Sequence, residues 1–444
     1  MASTASPPWS GSPLIDPRRP ARGQGWPSVA KAEAWMMRQA AWVAACEPVV
    51  QALVSDWNPH RSQLHDLPAG PLRGMLAGIK DIFHADGLPT RGGTSLPVEA
   101  LSGPTGNAVR RLVRAGAMIA AKTVTTEFAY FEPGPTTNPW HASRTPGGSS
   151  SGSAAGVAAG FFDVALGTQT VGSVIRPAAF CGVPGYKPTL GAIRRDGLLV
   201  FSRTVDHVGL FSRTWDDMLA AADALSMVEL SPPSSKSPVL GLVTGPYAQQ
   251  ASGYMRGQVS AWCERMEQAG FQVREVATLL DIEHHNNVHR DLTARDLADR
   301  HRRLFADFSH LYRPRTAALI EDGMHIDNHR YAACLANRAT IQAELRGAME
   351  AAGVDLLVSP AAPDVAPAGL AYTGDPVMNL PWTHAGVPVA TFPIALDDRV
   401  PGMQLPVGVQ VAAGFGRDAD LLHWSRILAG LAEPWPPNAS QHES

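Results

Sequence analysis

Cysteine is scarce in this sequence, and its scarcity narrows the kind of protein that the chain encodes. The 444 residues hold four cysteines, separated by long stretches of chain and without a CxxC pair. Zinc ribbons, thioredoxin-type motifs and disulfide scaffolds need closer spacing. Because free cysteine packs as a small apolar residue, we expect four reduced and mostly buried thiols. They are Cys46, Cys181, Cys263 and Cys334.

An excess of charge and long apolar runs are also missing. The formal net charge is −3 and 17% of residues are charged, which leaves no basic footprint for a nucleic-acid partner. No run reaches the roughly 18 apolar residues of a membrane-spanning helix, and residues 1–24 lack the apolar core of a signal peptide. We expect a soluble cytoplasmic protein with no membrane partner, present as a monomer or homodimer.

The order of apolar and amphipathic segments predicts an α/β protein. Residues 75–79 have the pattern of a strand, residues 107–116 that of a helix capped by Asn107, and residues 117–123 that of a buried strand. The same alternation recurs over residues 238–276. A strand–helix–strand order of this kind indicates an α/β sheet.

Composition divides the chain into an arm and a large folded part. Residues 1–27 are rich in Pro, Ser, Gly and Arg and are interpreted as a flexible N-terminal arm, and residues 28–444 as one domain. Residues 280–352 are polar and almost free of proline, which predicts two or three long helices. Further predicted elements are helices over 29–54 (bent near Pro48), 153–160 and 418–431, and strands over 164–167, 354–358, 387–392 and 407–411.

Two stretches rich in glycine and serine are not explained by folding alone. Residues 147–156 read GGSSSGSAAG, and residues 167–173 read GTQTVGS. Glycine allows close backbone approach and weakens regular structure. Buried hydroxyls need hydrogen-bond partners, so simple packing does not account for this many serines. The pattern indicates a site where backbone N–H groups and hydroxyls face a reactant.

Other glycine-rich motifs fit these stretches less well. Residues 148–152 formally match GxSxG, which would make Ser150 a nucleophile, but no apolar strand leads into the turn. A phosphate-binding loop is not indicated either, because no GxxxxGK[ST] occurs and no GxGxxG follows a clear strand.

The run from residue 147 to residue 189 resembles the signature of the amidase signature family of serine hydrolases. The resemblance covers roughly residues 30–430 and implies one large α/β domain with a mixed twisted β-sheet flanked by helices on both faces. Its signature core spans about 70–215 and 354–430, with a helical insertion at about 280–352. Shorter blocks that match the family lie at 78–81, 88–93, 379–381, 385–389 and 405–410.

The resemblance implies a serine–serine–lysine triad. By motif position the nucleophile is Ser173, the bridging serine is Ser149 after a cis peptide from Gly148, and the base is Lys80. A serine hydroxyl needs a base to take its proton, and a lysine is a base only when neutral. Burial lowers a lysine pKa, and Lys80 ends an apolar run. Asp81 should face away, since adjacent strand residues point to opposite faces.

The family also implies an oxyanion hole in the turn before the nucleophile. Its donors would be backbone N–H groups, which stabilise the negative charge that develops on the carbonyl oxygen. Those donors belong to Thr170, Val171, Gly172 and Ser173.

A substrate pocket is expected beside the triad. Pockets are lined mainly by apolar and aromatic side chains, so we expect Tyr130, Phe131 and Trp382, together with Gly148, to contact a small-molecule amide or carbamate. The chemistry requires no metal ion and no organic cofactor.

The sequence departs from the usual family pattern in the second glycine-rich stretch. Gln169 replaces an aspartate, Val171 replaces a glycine, and the arginine, Arg176, stands one position later than usual. A lone buried charge is costly, so the loss of the acid and the shift of the arginine are interpreted as linked. We expect these changes to alter the support of the site and its fit to substrate, and to leave the triad intact.

The expected activity is hydrolysis of a carboxamide-like C–N bond through an acyl-enzyme on Ser173. Carbamate (urethane) and aryl ester cleavage are narrower interpretations, since the sequence is similar to small bacterial amidases that include urethane-cleaving members. Two alternatives stay open. One is a glutamine-hydrolysing subunit of an amidotransferase, and the other is a non-catalytic binding protein on the amidase fold.

Four histidines need separate interpretation. His285 and His289 have the i, i+4 spacing of helical metal ligands, but zinc needs three or four ligands, so we expect a solvent-facing helix surface. His207 and His384 are isolated and are interpreted as packing groups, with a pocket-lining role as the alternative.

Overall fold

The structure is a computed structural model that describes residue 14 and residues 29–59, 67–227, 230 and 236–432. The expected N-terminal arm, residues 1–27, lies outside the described residues except for Leu14. That leucine is buried, and its backbone N–H donates to the Pro139 carbonyl at 2.9 Å.

The strands of the described residues form one mixed sheet in the order β2-β1-β3-β5-β4-β9-β10-β8-β6-β7. Both ends of the sheet are parallel (β2-β1-β3 and β8-β6-β7), and the centre from β3 to β8 is antiparallel. The mixed α/β architecture expected from the sequence is confirmed. The strands are β1 (Leu76–Lys80), β2 (Met118–Thr123), β3 (Val164–Gln169), β4 (Gly185–Lys187), β5 (His207–Ser212), β6 (Val239–Thr244), β7 (Gln272–Ala277), β8 (Leu356–Pro360), β9 (Val389–Asp397) and β10 (Leu405–Ala413).

Helices cover the sheet and fill the connections between its strands. None of those in the described part of the chain combines the length and apolarity needed to cross a bilayer. The helices are α1 (Val29–Val50), α2 (Asn107–Arg114), α3 (Ser151–Ala158), α4 (Ile175–Cys181), α5 (Trp215–Leu225), α6 (Pro246–Gln249), α7 (Gly253–Gln268), α8 (Ile282–Phe308), α9 (Pro314–Met324), α10 (Asn328–Ala352), α11 (Leu380–Ala385) and α12 (Asp418–Gly430).

The apolar core lies on both faces of the sheet, and strand β1 shows how. Ala77 and Ile79 pack in a cluster with α2, α5 and α12, whereas Leu76 packs in a second cluster with α1 and α3. Successive strand side chains point to opposite faces. Lys80 therefore shares the α3 face with Leu76, and the residue after it turns to the other face.

Helix α3 is built from small residues because it approaches the backbone of its neighbours very closely. A Cβ atom on Gly152 would lie 2.2 Å from the Ala52 carbonyl oxygen and 2.4 Å from the Val124 nitrogen. One on Gly156 would lie 2.6 Å from the Phe162 ring. The small-residue stretch thus has a packing role, and this close approach fixes where the serines before α3 lie.

The predicted cap of α2 is wrong. The helix begins at Asn107, its N-cap residue is Gly106, and no side-chain hydrogen bond caps the helix. Asn107 already lies inside the helix, where its side chain cannot serve as the N-cap acceptor.

The polar region after β7 folds into α8, α9 and α10. Their apolar residues, such as Leu297 and Ile320, pack with Phe128 and Phe201 in a separate cluster. This cluster places α8 and α9 against the loops that follow β1 and β2 and the loop that precedes β5, next to the glycine-rich stretches.

Candidate active site

Lys80 lies at the end of β1 with no exposed surface. Its Nζ atom donates to Ser149 Oγ at 2.7 Å and to Thr168 Oγ1 at 2.8 Å. Thr168 belongs to the neighbouring strand β3, and Ser149 lies just before α3. Both acceptors are neutral hydroxyls, so no carboxylate is in hydrogen-bond contact with this lysine.

Burial lowers the pKa of Lys80 well below its ordinary value, and the charge of Asp206 opposes this effect only in part. Asp81 faces away from Lys80, as the alternation of strand side chains predicts. Its Oδ1 atom lies 2.9 Å from Lys122 Nζ, and Oδ2 accepts the Arg91 backbone N–H. The carboxylate next in sequence therefore pairs with a different lysine.

Ser149 follows a cis peptide bond from Gly148, as the family resemblance implies. Gly148 has no room for a side chain, since a Cβ atom there would lie 2.9 Å from Thr373 Cγ2. Its carbonyl oxygen accepts a hydrogen bond from Arg176 Nη2 at 2.7 Å. These contacts hold Ser149 beside Lys80.

Ser173 lies in the turn between β3 and α4, and it is 7% exposed. Ser173 and Ser149 line the same narrow cleft. Two of the three residues that the sequence placed in a triad therefore line one cleft, and the third, Lys80, contacts Ser149. The other lining residues are Ala129, Tyr130, Phe131, Thr170, Val171, Arg176, Phe201 and Thr373.

Gln169 supports the turn without a charge. Its Oε1 atom accepts the backbone N–H groups of Val174 and Ile175 at 2.8 and 3.0 Å, at the start of α4. Its Nε2 atom donates to Thr383 Oγ1 at 2.9 Å. An amide supplies both the acceptor and the donor that these partners need, which a carboxylate could not do.

Side chains from two helices hydrogen-bond carbonyl groups of the turn. Thr170 O accepts from His289 Nε2 at 2.9 Å, and Val171 O accepts from Thr383 Oγ1 at 2.7 Å. Within the described residues, the N–H groups of Val171, Gly172 and Ser173 have no hydrogen-bond acceptor. The Thr170 hydroxyl donates to Asp206 at 2.6 Å, and burial raises the pKa of that carboxyl to about 6.

Arg176 places a positive charge at the wall of the cleft. It is 1% exposed, and Nε and Nη2 donate to the carbonyl oxygens of Thr373 and Gly148. Nη1 has no hydrogen-bond partner among the described residues. Burial lowers the Arg176 pKa to about 10, which still leaves the guanidinium charged at pH 7. Its carbon Cζ lies 5.8 Å from the centre of the Phe131 ring.

The expected substrate residues divide between the cleft and the core. Tyr130 and Phe131 line the cleft. Trp382 does not, because it lies in α11 with its Nε1 atom donating to Tyr247 Oη at 2.8 Å and to the Met378 carbonyl. An indole N–H buried in this way needs such a partner, and that partner turns Trp382 away from the cleft.

Other residues in or next to the cleft are not predicted from the sequence. Thr168, Phe201 and Thr373 reach the site from a strand and from loops far apart in the chain. Thr168 lies inside the glycine-rich stretch, and the alternation of side chains along β3 could have indicated that it faces Lys80 on β1. Phe201 and Thr373 carry no local motif, and only the folded chain brings them near Ser173.

The predicted solvent-facing surface at His285 and His289 is wrong, since both side chains are buried. His289 contacts the turn at Thr170, and its Nδ1 atom lies 3.1 Å from His384 Nδ1. His207 is also buried, with Nδ1 at 2.6 Å from the Val205 carbonyl, and neither His207 nor His384 lines the cleft. The described ranges contain no group of three or more side chains suited to holding a metal ion.

The chain is similar to known proteins over nearly its whole length. A family model for Amidase matches residues 28–422. One subunit of the glutamyl-tRNA(Gln) amidotransferase of Synechococcus sp. (strain RCC307) is 30% identical over 434 residues, covering 85% of this chain and 86% of the relative. A crystal structure of an amidase aligns with a TM-score of 0.80 and 28% identity, over 90% of this chain and 98% of its own.

A peptide amidase solved with the competitive inhibitor chymostatin shares the fold. Its TM-score is 0.75 at 24% identity, and the alignment covers 91% of this chain and 97% of that one.

Proposed function

Because this chain belongs to the amidase family of hydrolases, which act on C–N bonds, we propose that it hydrolyses a carboxamide-like C–N bond through an acyl-enzyme on Ser173. In this proposal Ser149 is the bridging serine and Lys80 is the base. The substrate is a small-molecule amide or carbamate.

One contact carries the proposal. Lys80 is fully buried, its pKa is lowered, and its Nζ donates to the Oγ of Ser149 in a cleft that Ser173 also lines. A lysine that is neutral at working pH can accept a proton, and a hydroxyl between it and the nucleophile can relay one. Lys80 neither hydrogen-bonds a carboxylate nor reaches solvent, and its acceptors are hydroxyls that can themselves give up a proton.

The proposed chemistry proceeds in two halves. The Ser173 hydroxyl passes its proton to Ser149, and Ser149 passes its own to Lys80, while Ser173 Oγ attacks the carbonyl carbon. The resulting oxyanion accepts hydrogen bonds from N–H groups of residues 170–173, of which those of Val171, Gly172 and Ser173 are free. When the C–N bond breaks, the leaving nitrogen takes a proton back through Ser149.

The second half returns the enzyme to its starting state. Water attacks the ester carbon of the acyl-enzyme and gives up a proton through Ser149 to Lys80. The ester C–O bond then breaks, the proton returns through Ser149 to Ser173 Oγ, and the acid leaves. Each proton in this scheme moves between side chains of the triad, the substrate and water, so the scheme uses no metal ion or organic cofactor.

The walls of the cleft define the substrates worth testing. Tyr130, Phe131 and Phe201 offer aromatic surface to an apolar group, whereas Arg176 offers a positive charge. A carbamate presents the same carbonyl carbon with an oxygen on one side, so urethane cleavage is part of the proposal, as is aryl ester cleavage. The panel should contain acyl groups that are aliphatic, aromatic and carboxylate-bearing.

A glutamine-hydrolysing role within an amidotransferase is the second candidate. The Synechococcus amidotransferase relative matches along most of both chains. Ammonia release from glutamine by this chain, alone and with candidate partner proteins, distinguishes the two functions. A specific preference for glutamine would favour the second candidate over a general amidase.

Ser173→Ala tests the assignment of the nucleophile, with Ser150→Ala as the matched control. Ser150 lies next to Ser149, but its hydroxyl contacts the Thr168 backbone and not Lys80. On para-nitroanilides, carbamates and esters, we expect Ser173→Ala to lose at least ~10³-fold in kcat, the scale of losing a triad serine, and Ser150→Ala to keep most of it. The reverse result would favour a nucleophile elbow at Ser150 and contradict the proposal.

A further inference from the structure

The free N–H groups of the turn are aimed by contacts made to its carbonyl groups. In a trans peptide the C=O of one residue and the N–H of the next point in opposite directions. The Thr170–Val171 and Val171–Gly172 peptides are trans, and their carbonyls accept from His289 and Thr383, on the side of α8 and α11. The N–H groups of Val171 and Gly172 therefore point away from these helices.

We propose that His289, carried by α8, is a positioning residue that holds the Thr170–Val171 peptide so that the Val171 N–H points at the oxyanion. This inference rests on the proposed function, because it assigns an oxyanion to that turn. It adds a residue from the helical region, 119 positions along the chain from Thr170, to the machinery of the glycine-rich stretch.

The hydrogen bonds of His289 determine its tautomer. A carbonyl oxygen only accepts, so His289 Nε2 carries the proton that Thr170 O receives. Burial lowers the His289 pKa to about 4, so the ring is neutral at pH 7 and Nδ1 is an acceptor. His384 Nδ1, at 3.1 Å, then donates to His289 Nδ1. A His384 N–H at this position is complementary to the His289 tautomer that bonds Thr170.

The second histidine is itself held in place. The His384 backbone carbonyl accepts from Arg338 Nε at 3.1 Å, and Arg338 Nη2 donates to the Thr204 carbonyl at 2.7 Å. The two imidazole rings meet edge to face, with centroids 5.3 Å apart. Apolar packing alone would not need two buried imidazoles whose ring nitrogens face each other, since leucine fills such space without burying polar atoms.

His289→Leu and His289→Gln separate positioning from packing. Leucine keeps the bulk and removes the donor, whereas glutamine keeps an N–H donor near the position of Nε2. Thr383→Val is the second variant, because it removes the donor to Val171 O from a different helix. The measurements are kcat and KM on the best substrate of the panel, the rate at which a fluorophosphonate labels Ser173, and the thermal midpoint of each variant.

We expect His289→Leu to lower kcat and the labelling rate by about 10- to 100-fold with KM within about twofold, less than the loss of a whole oxyanion donor. His289→Gln should recover most of kcat, and Thr383→Val should reproduce the kcat loss with little change in KM. If the wild type is labelled at Ser173 and His289→Leu is labelled equally fast, the positioning role is overturned and the proposed function stands. The positioning role is also overturned if His289→Leu and His289→Gln lose kcat equally and if these losses parallel the decrease in thermal midpoint. Wild-type protein without turnover or labelling would overturn both this role and the proposed function.

Discussion

Serines that look equivalent in the sequence have different partners in the structure. Ser149 accepts from Lys80, Ser150 contacts the Thr168 backbone, and Ser153 bonds the Thr123 hydroxyl and the Leu166 carbonyl. The hydroxyls of Ser150 and Ser153 are therefore hydrogen-bonded within the fold. Ser149 alone of these three contacts the lysine, and this difference makes the serine stretch a candidate for chemistry.

The pH dependence of turnover tests the state of Lys80. Because burial lowers its pKa well below the ordinary lysine value, the neutral base persists at pH values where an ordinary lysine is protonated, and acidification should reduce kcat/KM as Lys80 takes up a proton. A profile from pH 5 to pH 10 should show no rise around 10, where an ordinary lysine titrates.

Substitution of Lys80 completes that test. Lys80→Ala should lose nearly as much kcat as Ser173→Ala, at least ~10³-fold, since members of a triad act as a unit. Ser150→Ala should keep the acid limb of the profile unchanged. A limb near pH 10, or a limb that survives in Lys80→Ala, would contradict the assignment of the base.

Sequence reasoning at the residue scale succeeded where a motif fixes the position. The sequence predicts both the contact between Lys80 and Ser149 and the orientation of Asp81 away from Lys80. Trp382 and His289 were misplaced because their environment depends on long-range packing. The i, i+4 spacing of His285 and His289 does not indicate that His289 donates to a carbonyl group 119 residues away.

Close contacts between helices depend on particular glycines. In α9 a Cβ atom on Gly323 would lie 2.0 Å from the Ala294 carbonyl oxygen of α8, whereas a Cβ on Gly347 in α10 would meet nothing within 4 Å. Both residues are helical glycines in the same region, so they form a matched pair that separates packing from helix propensity.

Gly323→Ala and Gly347→Ala should therefore change stability in opposite directions. We expect the first to lower the free energy of unfolding by about 1–3 kcal/mol, because α9 must move away from α8. The second should raise it by roughly 0.5–1 kcal/mol through helix propensity. Urea unfolding of both variants measures this, and equal shifts would show that α8 and α9 do not approach as closely as described.

At the element scale, the sequence predicts long regular segments more accurately than it predicts helix ends and short strands. The strands predicted at 75–79 and 117–123 became β1 and β2, with shifts of one residue at most. Strands β4 and β5 were not predicted, since three residues in β4 carry no periodicity and every residue of β5 is buried, which hides any alternation. The cap of α2 was misplaced by one residue because asparagine is a preferred N-cap residue, whereas in the structure Gly106 occupies that position.

Buried lysines give the whole molecule an unusual dependence of stability on pH. Lys187 is fully buried, donates to the carbonyls of Pro188 and Val387, and has its pKa lowered by burial to about 7. Lys80 shifts in the same direction. Between these pKa values and the ordinary lysine value, the unfolded chain binds protons that the folded chain does not, so stability rises with pH.

Urea unfolding at pH 7 and pH 8 measures this effect. Lys187 alone should add about 1 kcal/mol to the free energy of unfolding over that interval, from the linkage between proton binding and folding. Lys187→Met removes the titrating group, so its stability should rise less between the two pH values than that of the wild type. Parallel behaviour of the two proteins would show that Lys187 keeps an ordinary pKa.

The order of the strands was beyond sequence reasoning at the scale of the whole molecule. Local patterns gave an α/β class, and the family resemblance gave a mixed sheet. The placement of β5 and β4 between β3 and β9 depends on pairing between segments that are distant in the chain. Helices α8 and α11 likewise reach the turn at residues 170–173 from distant parts of the chain, and no local pattern indicates these contacts.

Covalent labelling tests the central claim most directly. Wild-type protein and the Lys80→Ala and Ser150→Ala variants are treated with a fluorophosphonate, digested, and the modified residue is located by mass spectrometry. The account predicts one adduct on Ser173 in the wild type and in Ser150→Ala, and a rate lower by at least ~10³-fold in Lys80→Ala. An adduct on Ser150, or equally fast labelling of Ser173 without Lys80, would contradict it.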